Sequence, residues 1–204
     1  MTYEQILNYY NYDVDEVEGR REQIENLYFN AIVNAPLETI EDLLRIINMV
    51  YAWMPTMLKE TSSVIDFENI DFNELLQIAQ EVRRGEVNKP REIMLMSKLG
   101  KLTNNHMVGA SKVLMVLNQD KYPIFDSRVL QTWNNYVIVN NTLNEIKTLS
   151  NYSIENNPDR CIDNYLYYKN TVQHYARVSN KRVRQYEFLL FYINGKMNPQ
   201  EKLI

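Results

Sequence analysis

The sequence predicts an all-α fold, a single-domain bundle of about ten helices. Three observations predict it. Apolar residues recur at a 3.6-residue period through most of the chain. Capping and breaking residues stand where those periodic stretches begin and end. Glycine (5 of 204 residues) and proline (6) are too scarce to supply the tight turns of an all-β protein.

The elements follow in order. Thr2, with Gln5 three residues on, forms a capping box that starts the first helix. Asp13 or Asp15 opens a second, along which Ile24, Leu27, Tyr28, Ala31 and Ile32 keep helical spacing until Pro36 breaks it. Leu37–Met54 carries Ile40, Leu43, Leu44, Ile47, Val50 and Tyr51 at the same period, and Pro55 stops it. Asp71 and Glu74 read as a D-x-x-E start, with Gly85 just past the end. Pro90 suits a first helical turn, and Ile93, Met94, Met96, Leu99 and Leu102 follow as an apolar stripe. A short helix is expected from about Ala110 to Leu117, and another opens at Asp126 in DSRVLQTWNNY. Residues 137–158, rich in Asn, Ser and Thr, read as irregular. Arg160–Val178 and Lys181–Asn194 are the last two helices, the second ended by Gly195 and followed by a frayed tail. Neither a repeat nor a linker interrupts residues 1–204. One domain is therefore expected, with an acidic helical layer over 1–82, a basic layer over 83–196 and a tail over 197–204.

Composition narrows the function classes. No apolar run reaches the ~18 residues of a membrane span. The N-terminus lacks the charged-then-apolar order of a secretory signal, so no membrane association and a cytoplasmic location are expected. Cys161 is the only cysteine, which excludes an intramolecular disulfide and a Cys-rich zinc or iron–sulfur site. His106 and His174 have no carboxylate at metal-ligand spacing. A P-loop, a dinucleotide fingerprint and a nucleophile elbow are all absent, so neither a metal nor a cofactor is expected. The 15 tyrosines mostly sit at helical spacing beside Leu, Ile and Phe, which reads as core-edge packing with the hydroxyl left in water. Trp53 and Trp133 read as core. The net charge of −4 hides an asymmetry: residues 1–82 hold 16 acids and 4 bases, residues 83–204 hold 10 acids and 18 bases. Such a local field permits a nucleic-acid partner, and it is also what two solvated helical layers would show.

The most distinctive stretch is GASKVLMVLNQDKYPIFDSRV, residues 109–129. Lys112 lies in the first turn of a short apolar helix, which carries the chain only ~10 Å at ~1.5 Å per residue. The segment 119–125 spans over ~20 Å if extended, so the chain has the reach to return and set Asp126 beside Lys112. Tyr122-Pro123 forces an extended approach, and Asp126 then caps the next helix, held by backbone N–H groups and the helix dipole. A lysine and a fixed carboxylate facing one cavity can serve nucleophilic chemistry, the amine forming a Schiff base and the carboxylate stabilising the developing cation. The competing reading makes Asp126 a cap and Lys112 a solvated charge.

This order of Gly109, Lys112, Pro123 and Asp126 resembles the core of the helix-hairpin-helix DNA glycosylase superfamily, in particular its 8-oxoguanine glycosylase-like branch. The C-terminal RVRQYEFLLFYING, with Arg184, Glu187 and Leu190, is similar to the closing helix of relatives of that branch. The resemblance covers about residues 90–194. It implies a helix-hairpin-helix glycosylase-like fold, Lys112 in the place of the Schiff-base lysine, and Asp126 in that of the acid that stabilises the oxocarbenium ion. At the hairpin, Asn105-His106-Met107-Val108-Gly109 stands where the family has a Leu-Pro-Gly-Val-Gly-like turn, and one glycine remains. The implied nucleic-acid contacts are His106, Gly109, Ser111 and Arg128 around the motif, and Arg177, Lys181, Arg182 and Arg184 beyond it.

The basic half adds two clusters. Lys169, Arg177, Lys181, Arg182 and Arg184 are free of intervening acids and interleave with Tyr165, Tyr167, Tyr168 and Tyr175, a pattern suited to phosphate contact and base stacking or to a solvated face. Arg83, Arg84, Lys89, Arg91, Lys98 and Lys101 form the second. The expected function is a DNA glycosylase-like protein, with or without β-lyase activity. It would flip a damaged or modified base out of duplex DNA into a pocket between the two helical layers. Two alternatives stay open: a non-catalytic nucleic-acid-binding module of the same fold, and a helical protein-interaction or host–phage conflict protein that works through its acidic first 82 residues.

Overall fold

Every regular element among the described residues is an α-helix, as the periodicity predicts. The structure, a computed structural model, describes residues 1–25, 27–53, 70–104, 106–140, 146–150 and 157–196, with only the backbone at 27 and 28. Met54, Pro55, Asn105, most of the Asn-rich 141–156 stretch and the tail 197–204 lie outside the described residues.

Among the described residues there are ten helices, and seven of them begin where a short polar side chain caps them. α1 (Tyr3–Tyr10) starts with the Thr2–Gln5 capping box, and α2 (Val14–Ile24) takes Asp13 as its cap. The second expected helix is two: the chain leaves the helical basin at Glu25 (ψ 54°), and α3 (Leu27–Val33) begins anew. α4 (Ile40–Trp53) starts three residues later than the apolar stripe suggests. There Thr39 and Asp42 cap each other, Asp42 N donating to Thr39 Oγ1 at 3.2 Å and Thr39 N to Asp42 Oδ2 at 3.1 Å. α5 (Phe72–Arg84) runs from the Asp71 cap to Gly85, whose φ of 78° suits glycine at a helix end. α6 (Lys89–Leu102) follows with Asn88 as cap and Pro90 in its first turn.

α7 (Met107–Leu117) begins three residues before Ala110, and α8 (Ser127–Val139) continues three residues past Tyr136, into the stretch read as irregular. α9 (Pro158–Val178) is capped by Asn157. α10 (Val183–Lys196) passes through Gly195 instead of ending there.

Burial organises these elements around α7. Met107 and Gly109–Leu117 are all buried, and the helix packs against α3, α4, α5, α6 and α9. A helix apolar on every side needs neighbours on every side. α10 packs against α8 and α9 and returns to the start of the chain, meeting α1 and α2. Tyr186 donates its hydroxyl to Met1 O at 2.5 Å, and Tyr3 N donates to Ser179 Oγ at 2.8 Å. The two charge halves are therefore interlocked. Several tyrosines expected at the core edge are interior: Tyr3, Tyr122, Tyr165, Tyr168 and Tyr186 are fully buried. Most satisfy the hydroxyl within the protein, as Tyr122 does on Glu92 (2.6 Å) and Tyr165 on Pro123 O (3.1 Å).

Two glycines respond oppositely to a methyl group. A Cβ on Gly109 would stand 2.2 Å from Tyr51 Oη and 2.4 Å from Thr103 Cβ, whereas one on Gly19 would meet nothing within 4 Å. Gly109→Ala is expected to lose about 2–3 kcal/mol by overpacking, and Gly19→Ala, inside α2, to gain about 0.5–1 kcal/mol. Urea denaturation of both variants checks this pair of signs.

Candidate active site

The loop after α7 is fastened back onto α7 and its neighbours. Ser111 is the main fastening: its hydroxyl donates to Val108 O at 2.9 Å and accepts the buried Phe125 N–H at 3.0 Å. Gln173 Nε2 donates to Lys121 O at 2.7 Å, and Tyr165 holds Pro123 O. Phe125 then packs against Tyr165 and Tyr168 with ring centroids 5.7 and 5.3 Å apart. The next residue is Asp126, whose Oδ1 accepts from Arg128 N and Val129 N, both at 3.0 Å, and caps α8.

Lys112 follows Ser111 on α7 and is 6% exposed, the one charged side chain on that helix. Burial pushes its amine below the usual lysine range. The Asp126 carboxylate opposes the shift and the Arg128 guanidinium adds to it. Lys112, Asp126 and Arg128 thus share one electrostatic neighbourhood. Arg128 is itself exposed and stacks over Phe191 at 5.3 Å.

Asp126 also acts on a buried pair from α9 and α10. Glu187 is 0% exposed; its Oε2 accepts from Arg184, and its Oε1 has no hydrogen-bond partner. Burial pushes the Glu187 carboxyl up to about 7; Arg184 opposes this, and the charges of Asp126 and Glu25 reinforce it. The Tyr168 hydroxyl is buried without a hydrogen bond, and Glu187 and Asp126 both raise its pKa further. Beyond the resemblance of the closing helix, sequence reasoning gave Glu187 no role. The signal was there: Glu187 is the one acid of α10, three residues after Arg184.

The other candidates divide sharply. Arg184 is 5% exposed and bonds Glu25 Oε1 at 2.7 Å as well as Glu187, so it is an interior ion pair and not a phosphate contact. Ser111 is equally interior, its hydroxyl engaged on both sides. Gly109 turns its bare face inward, making room for Tyr51 and Thr103 where the resemblance implies a DNA phosphate. His106 is the half-buried N-cap of α7, its Nδ1 buried without a hydrogen bond. Lys169 is buried on Glu92 at 2.7 Å. Tyr165 and Tyr168 are too deep to stack on bases. Of the second basic cluster, Arg83 donates to Ala35 O, Arg91 forks onto Glu81, and Lys98 meets Glu74. Arg177 and Arg182 stay exposed at the α9–α10 turn, with half-buried Lys181 over the Tyr3 ring at 4.8 Å.

Trp133 is core, donating its indole N–H to Lys147 O at 3.1 Å, and Trp53 packs on Phe29. No helix among the described residues is long and apolar enough to cross a membrane. Comparison of the chain with family models, with curated proteins and with solved structures finds no match.

Ser111→Ala leaves the buried Phe125 N–H without an acceptor. It is expected to cost about 1–3 kcal/mol in chemical denaturation and to speed hydrogen exchange at Phe125 ahead of the α7 amides.

Proposed function

We propose that this chain is a DNA glycosylase-like protein, with Lys112 as nucleophile and Asp126 as its electrostatic partner. The observation that supports the reading best is a lysine buried on the central helix, in the same charge neighbourhood as a helix-capping carboxylate. Attack on carbon needs a neutral amine with a free lone pair, and burial shifts Lys112 toward that form. The Lys112 nitrogen bonds to the sugar C1′ of a flipped-out nucleotide and sheds its proton. The bond from C1′ to the base breaks, and its electron pair leaves with the base, which takes up a proton; the C1′–O4′ bond then opens, O4′ taking the remaining amine proton, to leave the C1′=N Schiff base that borohydride reduces. Asp126 faces the positive charge that builds on the sugar as that bond stretches.

A second reading, binding without chemistry, is favoured by a separate observation: Arg177 and Arg182 are exposed and stand with Lys181 at the α9–α10 turn. Each phosphate they neutralised would add about 0.9 to the salt dependence of binding.

Borohydride trapping tests the first reading. Wild type is expected to give a reduced covalent adduct on duplexes bearing an oxidised base or an abasic site, and Lys112→Gln none. Absence of any adduct across a broad lesion panel defeats the chemistry. A low-salt DNA shift assay then separates the rest. Retention by wild type, Lys112→Gln and Asp126→Asn alike supports a binding module, and no retention by any of them supports a protein-interaction role.

The same lysine is expected to cost stability. The unfolded chain keeps the Lys112 proton up to the ordinary lysine range, while the folded chain releases it at lower pH. Wild-type stability therefore rises with pH across that window. Lys112→Met is expected to stabilise the fold at neutral pH by about 1 kcal/mol, and the gain to shrink as pH rises. Denaturation of the two proteins at a series of pH values measures it.

A further inference from the structure

Where the start of α6, the loop after α7 and α9 come together, positive charge outnumbers negative in a partly dry place. Glu92 of α6 and Lys169 of α9 are 5% and 4% exposed. Lys169 Nζ donates to Glu92 Oε1 at 2.7 Å, and the Tyr122 hydroxyl donates to the same oxygen at 2.6 Å. Lys121 Nζ stands 3.9 Å from it, beyond hydrogen-bond distance. The two ammonium groups also share the Tyr122 ring, at 5.5 Å from its centroid for Lys121 and 5.3 Å for Lys169. Among the described residues Glu92 is the one carboxylate paired with either amine. Exposed Lys89 precedes Glu92 by three residues in α6 and lies on the same side of that helix.

A single carboxylate balances a single ammonium. The second is left facing the first, and the ring softens their repulsion without supplying the missing charge. Burial pushes the Lys169 amine below the usual lysine range; Glu92 opposes the shift, and the charges of Lys121 and Lys89 add to it. Lys169 also has donors to spare. An ammonium carries three N–H bonds, and among the described residues Lys169 uses one, on Glu92. A small anion with several acceptor oxygens complements such a place, because it meets the spare donors and the unbalanced charge together.

We propose that Lys121, Lys169 and Lys89 form a phosphate-binding site, in which the oxyanion takes the unused donors of Lys169 and the ammonium of Lys121. The open side is Lys121, whose side chain is 30% exposed. Its backbone is held, since Lys121 O accepts from Gln173 Nε2 at 2.7 Å and Lys121 N donates to Asn118 O at 3.1 Å. The amine therefore closes on the ligand from a fixed anchor. The phosphate belongs to a small molecule or to a nucleic-acid backbone, and the chemistry that recognises it is the same. Phosphate binding here requires nothing of Lys112.

Inorganic phosphate is the probe. The full chain, with carbon-13 at its lysine ε carbons, is titrated with it by NMR at fixed pH and ionic strength, sodium chloride making up the balance. The Lys121 and Lys169 signals are expected to move along one saturating curve while that of Lys196 stays still. Lys121→Met is expected to weaken binding about tenfold or more, and Lys89→Met about threefold. Arg20→Met, an exposed charge on α2, leaves it unchanged. A drift without saturation that every exposed lysine shares overturns the proposal, and so does a curve that survives Lys121→Met intact. The wild-type signals report on the site directly, so the result does not hang on a variant's folding. A short DNA duplex at the same ionic strength then tells the two sources apart. If it moves the same two signals and inorganic phosphate displaces it, the ligand is a backbone phosphate. If it leaves them still while phosphate moves them, the ligand is a small phosphorylated molecule.

Discussion

The structure depends on one constraint: α7 has no side that can face water. A helix with a single apolar stripe is content with one neighbour, but MVGASKVLMVL presents apolar surface all round and has to be surrounded. Helices α3 to α6 and α9 supply the enclosure. Gly109 matters because it lets the first turn of α7 sit against Tyr51 and Thr103, where a side chain would hold them apart. Ser111 matters because it ties the chain leaving α7 back onto α7 itself. The position of Asp126 follows from both. Lys112 is buried for the same reason: it is enclosed with the helix that carries it.

Charge asymmetry serves this enclosure more than it makes an outward field. The acidic first part and basic second part meet through Arg91–Glu81, Lys98–Glu74, Lys196–Glu16 and Arg184–Glu25. The first three keep contact with solvent, and each contributes little alone. The last is interior and joins α10 to the end of α2, so losing one partner would strand a buried charge. What remains for a polyanion is narrower than the +8 balance of the second part suggests. Among the described residues it includes the small group at the α9–α10 turn, together with exposed Arg128, Lys89, Lys101, Lys147 and Arg160.

Fold class and most helix starts were legible because both depend on local chemistry. Thr2, Asp71 and Asp126 cap the helices that follow them as their spacing indicates. The misplaced boundaries have causes the apolar pattern does not carry. Nothing in the apolar pattern marks Glu25 as a break, and its carboxylate binds both Arg21 and Arg184, the latter 159 residues away. Gly195 fails to end α10 because a glycine permits a helix end without requiring one. Asp42 and Thr39 form a legible cap that the longer apolar stripe obscured. The candidate site was half legible. Lys112 and Asp126 could be paired from chain reach alone. Whether a basic residue on an amphipathic helix turns inward or outward is decided by partners far off in sequence, and Arg184, Lys169, Arg177 and Arg182 look alike until their partners are in place.

Two buried glutamates in the same molecule show what structural need does and does not explain. Glu92 Oε1 receives Tyr122 Oη at 2.6 Å and Lys169 Nζ at 2.7 Å, linking α6, the return loop and α9. That network is a sufficient account of Glu92, because a buried charge with full partners specifies how elements dock. Glu187 is buried at least as deeply and receives less. Arg184 already has Glu25, and a glutamine at 187 would still offer Arg184 an oxygen. Glu187 Oε1 and the Tyr168 hydroxyl are buried without hydrogen bonds, as are Arg83 Nε and Nη2 and His106 Nδ1 elsewhere in the interior. Phe188, Leu189, Leu190 and Ile193 of the same helix are buried too. The charge of Asp126 acts on Glu187 and Tyr168, and also on Lys112.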